Sequence, residues 1–293
     1  MLCLLNTAMA WRCFMKTTEH RLLSFDATPL FYRLIVPEGL PRGRVYVLHG
    51  MGEHGGRYQD LAGFLGKSGL ECVIPDLRGF GKSGGERAYA DSFGVFHEDF
   101  ECIRNFIEKS RPNPNVFVLG HSFGGLLAAS FIYMRGASVR GLVLSSPLFG
   151  VASRVPFWRS ALGLVAAEIF PRYSQNTNVR PELLTHDPGV ISAYGKDPLI
   201  YHKISARLYR ELLKLMAQRT AIAQGLRCPV LVMQAGDDRI VDKEKTIAFY
   251  KELNTQDKDL KVYPRLYHEI LNEAEHLSLI QTISAWISSR ISS

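Results

Sequence analysis

The chain has 293 residues, of which 46% are hydrophobic and 22% are charged, and its net charge is +7 at pH 7. These proportions are typical of a globular enzyme, and they exclude the disordered and fibrous classes of protein. The positive charge is not gathered in a run of Lys and Arg or in a basic stripe with interleaved aromatic residues. We therefore expect no nucleic-acid partner, whereas weak attraction to an anionic lipid surface stays open.

The amino-terminal residues MLCLLNTAMA are apolar, but no positive charge precedes this short run. A signal peptide is therefore not favoured, although secretion stays open, and Met15 is an alternative start because the recognisable fold begins after it. No stretch approaches the ~20 apolar residues of a membrane span. The five cysteines are an odd number without paired spacing, which predicts reduced thiols in a cytoplasmic protein.

The chain opens with a predicted antiparallel hairpin, residues 18–25 and 28–36, joined by a turn at Asp26-Ala27. Strands then alternate with helices. Strands are predicted at 44–48, 70–75, 116–119, 140–145, 229–234 and 260–263, and helices at 58–67, 91–109, 123–133, 243–253 and 274–291. This alternation predicts an α/β fold with a mostly parallel sheet flanked by helices. Asp76 and Arg78 are interpreted as a polar pair that braces a turn.

The alternation breaks between residues 147 and 225. This segment contains helix-like stretches at 158–170, 180–184 and 205–224 and no convincing strand. We interpret it as a helical cap inserted between two strands of the sheet. Residues 1–146 and 226–293 then form the core, and residues 147–225 form the cap.

The sequence NVFVLGHSFGG contains a short apolar strand, a glycine-flanked serine and the start of a buried helix. A serine on so sharp a strand-to-helix turn is forced into a strained backbone, and its hydroxyl stands at the carboxyl edge of the sheet. The backbone N–H of Phe123 and the positive end of the helix dipole then lie beside any charge that develops on a carbonyl oxygen. The alternative is an ordinary glycine-rich turn. The position of strand, turn and helix favours Ser122 as a nucleophile.

A second glycine-dense loop, HGMGEHGGRY, follows the predicted strand at 44–48. Such a loop can curl over the serine turn and direct the backbone N–H of Met51 to the same place as that of Phe123. The alternative is a phosphate-binding loop. That reading is disfavoured because the loop has neither the Gly-Lys-Ser/Thr ending nor the GxGxxG spacing.

A serine nucleophile needs a base, and the base needs a group that fixes its tautomer. In this kind of fold the chain order is serine, acid, histidine. Of the two late histidines, His268 lies in a loop after a strand and His276 in the first turn of the last helix, so we predict that His268 is the base. Among the candidate acids Asp237, Asp238 and Asp242, the position at a strand end favours the first two, and the residues alone leave the choice between them open.

Five motifs, HGMGEHGGRY, DLRGFGKSGGE, GHSFGG, QAGDDRIVD and YHEILNE, resemble those of the monoacylglycerol lipase and lysophospholipase family of serine hydrolases, which have the α/β-hydrolase fold. The resemblance extends over most of the chain from about Glu19. It implies the nucleophile Ser122, the acid Asp238, the base His268 and oxyanion donors at the N–H groups of Met51 and Phe123. The chain departs from the family in having phenylalanine at 123, where methionine is common, and in an acidic doublet that keeps Asp237 as the alternative acid.

The resemblance implies hydrolysis of an ester that joins one fatty acyl chain to glycerol or glycerophosphate, through an acyl-enzyme and without a metal or cofactor. The apolar residues of the cap are expected to bind the acyl chain and to contact a lipid surface. The alternative is that they only pack the cap against the core. The cap residues proposed for substrate binding are Phe157, Trp158, Leu162 and Phe170. The sequence does not indicate the head group, the preferred chain length or the oligomeric state.

Other functions use the same machinery. One alternative is a general carboxylesterase or thioesterase. Another is an aminopeptidase, which would need carboxylates in the cap to hold the substrate amine, for which Glu168 and Glu182 are available. A non-catalytic binding protein of this fold is disfavoured because the nucleophile, the acid and the base are all present.

Overall fold

The computed structural model of the protein describes residues 15–152 and 167–291, so Phe157, Trp158 and Leu162 lie outside the described residues. Its main element is an eight-stranded sheet. The strands of this sheet are β1 Met15–Leu23, β2 Pro29–Pro37, β3 Gly43–Leu48, β4 Leu70–Pro75, β5 Val116–His121, β6 Gly141–Ser145, β9 Val230–Ala235 and β10 Lys258–Tyr263. Two short strands, β7 Ser174–Asn176 and β8 Lys203–Ser205, pair with each other in a second sheet.

The helices of the described residues alternate with these strands. The α-helices are α1 Gln59–Lys67, α2 Gly94–Ser110, α3 Phe123–Arg135, α4 Pro188–Lys196, α5 Ala206–Ala217, α6 Arg219–Gly225, α7 Lys243–Glu252 and α8 His276–Ser288. Short 3-10 helices span Gly55–Tyr58, Pro181–Leu183 and Ile270–Asn272. The predicted helices of the core are confirmed, with ends that differ by a few residues.

The central strands β3, β4, β5, β6 and β9 are buried on both faces of the sheet. On β3 the side chains of Tyr46 and Leu48 enter one apolar cluster, while Val45 and Val47 enter the other. The first cluster also contains side chains of α2, α3 and α7, and the second contains those of α1 and α8. Because helices cover both faces, the central strands are continuous apolar runs, as the sequence predicts.

The order of strands in the sheet is β1-β2-β4-β3-β5-β6-β9-β10. Strands β1 and β2 are antiparallel, β2 is antiparallel to β4, and the pairs from β4 to β10 are parallel. The predicted hairpin and the mostly parallel sheet are thus confirmed. Since parallel strands end at the same edge of a sheet, the loops after β3, β5, β9 and β10 lie together. These loops carry Met51, Ser122, Asp238 and His268.

Some predictions for the middle of the chain are wrong. Strands β7 and β8, of three residues each, form where no strand is predicted, because so short a segment shows no alternating pattern. Helix α4 is also missed, although Asp187 caps it by accepting from two backbone N–H groups and Pro188 is its first residue. The cap boundary at residue 225 stays a prediction. Ile222 and Ala223 of α6 lie within the predicted cap, but their side chains belong to the same apolar cluster as those of α3 and α7 in the core.

The pairing of Asp76 with Arg78 is also wrong. Asp76 instead accepts a hydrogen bond of 2.8 Å from Arg33 Nη1. Arg78 donates to Asp99, with an Nη2–Oδ1 distance of 2.6 Å, and also pairs with Asp26. Both residues brace turns, but each does so through a partner that is distant in sequence.

Candidate active site

Ser122 occupies the turn between β5 and α3. Its backbone angles are φ 52° and ψ −116°, a conformation that costs a residue with a side chain about 1–3 kcal/mol. The Ser122 N–H donates to the Ser145 carbonyl at 3.0 Å, and its carbonyl accepts from the Leu148 N–H at 3.0 Å. These bonds hold the strained residue from both sides. The predicted strained turn is confirmed.

The two glycines beside the serine permit a very close approach of backbone. A Cβ on Gly124 would lie 2.6 Å from the His49 carbonyl oxygen, and one on Gly120 would lie 2.7 Å from the Gly125 Cα. Both distances are far shorter than a carbon atom allows. Glycine at these two positions therefore lets α3 begin directly against β5 and the end of β3.

Phe123 is the first residue of α3. Its N–H therefore has no acceptor within the helix and lies at the positive end of the helix dipole. The Phe123 ring is fully buried, with centroids 6.4, 5.4 and 5.2 Å from those of Phe80, Phe93 and Phe96. Phenylalanine at this position anchors the start of α3 in the core and leaves its backbone donor directed away from the helix.

The glycine-dense loop after β3 passes beside the serine. A Cβ on Gly50 would lie 3.4 Å from the Ser122 Cβ. His49 braces this loop, since its Nδ1 lies 2.7 Å from the Gly50 carbonyl oxygen and its Nε2 accepts from the Leu77 N–H at 2.8 Å. Burial lowers the pKa of His49, so the ring is neutral and keeps both roles. Met51, the predicted oxyanion donor, follows directly.

Asp238 lies in the loop after β9 with its side chain fully buried. Its Oδ1 accepts from the N–H groups of Ile240 and Val241, each at 2.9 Å, and its Oδ2 lies 2.8 Å from His268 Nδ1. Burial opposes ionisation, but the charge and hydrogen bond of His268 and the two backbone donors outweigh it and lower the pKa of Asp238. The carboxylate is therefore charged and oriented toward one ring nitrogen of His268.

His268 lies in the loop after β10 and is almost fully buried. Its Nδ1–H donates to Asp238, which leaves Nε2 as the nitrogen able to accept a proton. The His268 ring packs on that of His121, the residue before Ser122, with a centroid distance of 4.8 Å. Burial, and next the charge of His268, lower the pKa of His121 to about 4, so His121 is neutral.

The alternative acid and base lie elsewhere. The side chain of Asp237 is 47% exposed and pairs with Arg239 at 3.0 Å. His276 Nδ1 lies 2.7 Å from the Glu273 carbonyl oxygen in the first turn of α8. The structure thus brings together Asp238 and His268, and Asp237 and His276 take no part in that contact.

Three charged residues beside the site are not found by the sequence analysis. Arg57 donates to both oxygens of Glu269, at 2.7 and 2.6 Å, and to Glu53 at 2.6 Å. Glu53 in turn accepts from the Gly50 N–H at 2.6 Å. Burial opposes the charge of Glu53, but Arg57 and then His121 lower its pKa to about 2. The only sequence signal is that these residues fall inside two of the five motifs.

The segment predicted to form the cap, residues 147–225, contacts the same loops. The Tyr201 N–H donates to the Gly52 carbonyl at 2.7 Å, and the Glu269 N–H donates to the Leu184 carbonyl at 2.8 Å. The Arg57 guanidinium lies 5.1 Å from the centroid of the Tyr194 ring. The described part of residues 147–225, the predicted cap, therefore rests on the loops that carry Met51 and His268.

Of the four predicted cap residues only Phe170 is described, and it is 65% exposed. Glu168 pairs with Arg210 and is itself 62% exposed, and Glu182 lies exposed in its 3-10 helix. Within residues 15–152 and 167–291 no group of three or more His, Cys, Asp or Glu is arranged to hold a metal ion. In the same ranges, no helix has both the length and the apolar character that crossing a bilayer requires.

Comparison with known proteins gives consistent matches over nearly the whole chain. The family model described as serine aminopeptidase, S33 matches residues 39–275. A monoacylglycerol lipase of Mycolicibacterium smegmatis is 30% identical, over 94% of this chain and 98% of its own length. Phospholipase YtpA of Bacillus subtilis is 33% identical, over 84% of this chain and 95% of its own length. The crystal structure of Paleococcus ferrophilus monoacylglycerol lipase is 27% identical with a TM-score of 0.79, covering 94% of this chain and 99% of that one.

Proposed function

This chain belongs to the serine aminopeptidase S33 family and has the α/β-hydrolase fold, and on that premise we propose that it is a serine hydrolase of lipid esters. Its substrate is an ester that joins a single acyl chain to an alcohol, as in a monoacylglycerol or a lysophospholipid. Relatives named as a monoacylglycerol lipase and as a phospholipase support this substrate class. Cleavage releases the alcohol first and the fatty acid second.

In this mechanism Ser122 Oγ attacks the ester carbonyl while His268 Nε2 takes the hydroxyl proton. Asp238 holds the His268 Nδ1–H and stabilises the imidazolium that forms. The N–H groups of Met51 and Phe123 donate to the oxyanion of the tetrahedral intermediate. His268 then gives its proton to the leaving alcohol, and water, activated by the same nitrogen, hydrolyses the acyl-enzyme.

The observation that carries this proposal is the buried Asp238–His268 hydrogen bond of 2.8 Å at the sheet edge where the strained Ser122 turn ends. Burying a charged carboxylate costs free energy unless its oxygens are paired and hydrogen-bonded. Here its oxygens are satisfied by two backbone donors, by one histidine nitrogen and by Gln234 Nε2, which donates to Oδ2 at 3.2 Å. That arrangement supports a base that is held in a single tautomer beside a nucleophile.

Aminopeptidase activity, named in the description of the family model, is the second candidate. It requires carboxylates that are free to bind a substrate ammonium group. Glu53 and Glu269 are both bonded to Arg57, and Glu168 pairs with Arg210. These partners neutralise Glu53, Glu269 and Glu168, which favours the lipid ester over a substrate with a free amine. Glu182, the other cap carboxylate named above, is exposed on its 3-10 helix.

We further propose that residues 147–225 form a cap that binds the acyl chain and touches a lipid surface. Ile169, Phe170 and Tyr173 are 64%, 65% and 57% exposed, and adjacent exposed apolar side chains mark interaction surfaces. The exposure of Phe170 favours contact with lipid over the lining of a closed tunnel. The free thiols of Cys72, Cys102 and Cys228 support a cytoplasmic location.

The nucleophile is tested with a fluorophosphonate probe, which reacts quickly only with an activated serine. Ser122→Ala is expected to abolish labelling and to lower kcat by about 10⁵- to 10⁶-fold. Ser130→Ala, which changes a buried serine on α3, the helix that follows Ser122, is the control and is expected to label normally. Undiminished labelling of the Ser122→Ala protein would show that the nucleophile has been misassigned.

The substrate class is tested with a panel of monoacylglycerols, lysophospholipids, short p-nitrophenyl esters and aminoacyl amides. We expect kcat/KM to be highest for the single-chain acyl lipids. Faster turnover of the aminoacyl amides would favour the aminopeptidase instead.

A further inference from the structure

A continuous chain of hydrogen bonds runs from the loop of the base to the oxyanion loop. Glu269, the residue after His268, accepts from Arg57 Nη1 at 2.7 Å and from Nη2 at 2.6 Å. Arg57 Nη1 also donates to Glu53 Oε2 at 2.6 Å, and Glu53 Oε1 accepts from the Gly50 N–H at 2.6 Å. The path therefore joins the residue that follows the base to the residue that precedes the oxyanion donor.

This path is buried and geometrically specific. The side chains of Glu269, Arg57 and Glu53 are only 5%, 11% and 4% exposed. Additional donors fix the carboxylates, since Tyr58 Oη donates to Glu53 at 2.7 Å and Asn272 Nδ2 donates to Glu269 at 2.9 Å. A two-pronged Arg–carboxylate contact has one preferred orientation. Removing two carboxylates and a guanidinium from water is costly, and apolar side chains of the same volume would serve packing at least as well.

We propose that Glu269 is a positioning residue that acts through Arg57 and Glu53 to hold the oxyanion donor Met51 at a fixed distance from the base His268. This inference rests on the catalytic roles proposed above. Donors must lie about 2.7–3.1 Å from the developing oxyanion, so the two loops have to be held together accurately. A displacement of about 1 Å can lower the rate by on the order of 10²-fold.

The negative charge of the Glu269 carboxylate also acts on the pKa of the base His268. The charged and titratable groups around His268 are Asp238 from the loop after β9, His121 from the end of β5, Glu53 from the oxyanion loop and Glu269 from its own loop. Burial of His268 opposes protonation, but Asp238, followed by Glu269 and Glu53, outweighs burial and raises its pKa. Because the base must be neutral to act, removal of the Glu269 charge shifts the acidic limb of kcat/KM to lower pH.

The test is Glu269→Gln in the full chain, assayed with p-nitrophenyl butyrate and followed by thermal melting. The matched control is Glu71→Gln, which disrupts another buried Glu–Arg pair. Glu71 accepts from Arg44 Nε at 2.7 Å near the start of β4, at the opposite edge of the sheet. We expect both changes to lower Tm. Only Glu269→Gln is expected to lower kcat, by on the order of 10²-fold with little change in KM, and to shift the acidic limb.

Glu269→Asp is a second variant, which keeps the charge and shortens the reach to Arg57. It is expected to lower kcat less than Glu269→Gln does and to leave the acidic limb in place. The positioning role is overturned if Glu269→Gln matches Glu71→Gln in both kcat and the acidic limb. If Ser122→Ala keeps its turnover, the proposed function itself fails. If Ser122→Ala is inactive while Glu269→Gln is normal, only the positioning role fails.

Discussion

Replacing Asp238 by asparagine tests how the base is held. Asp238 Oδ1 accepts from the N–H groups of Ile240 and Val241, each at 2.9 Å. If the amide NH₂ of asparagine took the position of Oδ1, its N–H donors would face these two backbone N–H donors. The amide oxygen must therefore take the position of Oδ1. The NH₂ group then faces His268 Nδ1. The imidazole is expected to change tautomer, with Nδ1 accepting and Nε2 protonated, and it can no longer take the Ser122 proton.

The wrong tautomer is expected to lower kcat by about 10⁴-fold, which corresponds to about 5.4 kcal/mol at 1.36 kcal/mol per tenfold change. The loss in folding free energy is smaller. A hydrogen bond to a charged group contributes about 1.5–3 kcal/mol, and a typical domain has about 5–15 kcal/mol of stability. The variant is therefore expected to fold and to be almost inactive.

The assay compares kcat and Tm of Asp238→Asn and Asp237→Asn on a soluble ester. Asp237 is the matched control because its side chain is 47% exposed and pairs with Arg239 on the surface. Such pairs contribute little, about 0–1 kcal/mol, so Asp237→Asn should keep nearly full activity. If Asp237→Asn abolished turnover while Asp238→Asn left most of it, the reasoning from the hydrogen bonds would be refuted.

The turn is tested by a glycine substitution, and the predicted cap is tested by a series of ester substrates and by two substitutions. Gly124→Ala is expected to lower both Tm and kcat, because its Cβ would lie 2.6 Å from the His49 carbonyl oxygen and would push the oxyanion loop away; normal values of both would contradict the close packing. For the cap, kcat/KM is expected to rise steeply from C4 to C16 esters, since each buried CH₂ contributes about 0.8 kcal/mol, and a flat dependence would favour a general esterase. Changing Phe157 and Trp158 to serine should lower only the long-chain activity if they contact lipid, whereas a fall in Tm and in both activities would assign them to packing.

The sequence by itself determined the features that depend on neighbouring residues. An apolar strand, a glycine-flanked serine and a buried helix follow one another directly, so the strained turn at Ser122 and the position of the Phe123 N–H at the start of the helix could be predicted. Parallel strands end at one edge, so the loops carrying Met51 and His268 could be placed beside that turn.

For the acid, the pattern of residues narrows the choice to two adjacent aspartates. Asp237 and Asp238 both follow β9, and the pattern of residues does not distinguish them. In the folded loop the Asp237 N–H donates to the Leu266 carbonyl, and its side chain is directed to Arg239 on the surface. The backbone donors of Ile240 and Val241 draw the next carboxylate inward. The path of the loop therefore selects Asp238 as the partner of His268.

Only the tertiary structure decided which charged residues surround the base. Arg57 and Glu269 are 212 positions apart in the chain, and each taken alone reads as a loop residue of ordinary polarity. The fold brings them together because the loop after β10 crosses beside the loop after β3. Local patterns cannot report such a contact, since its energy comes from burial and from an ion pair that exist only once both loops are in place.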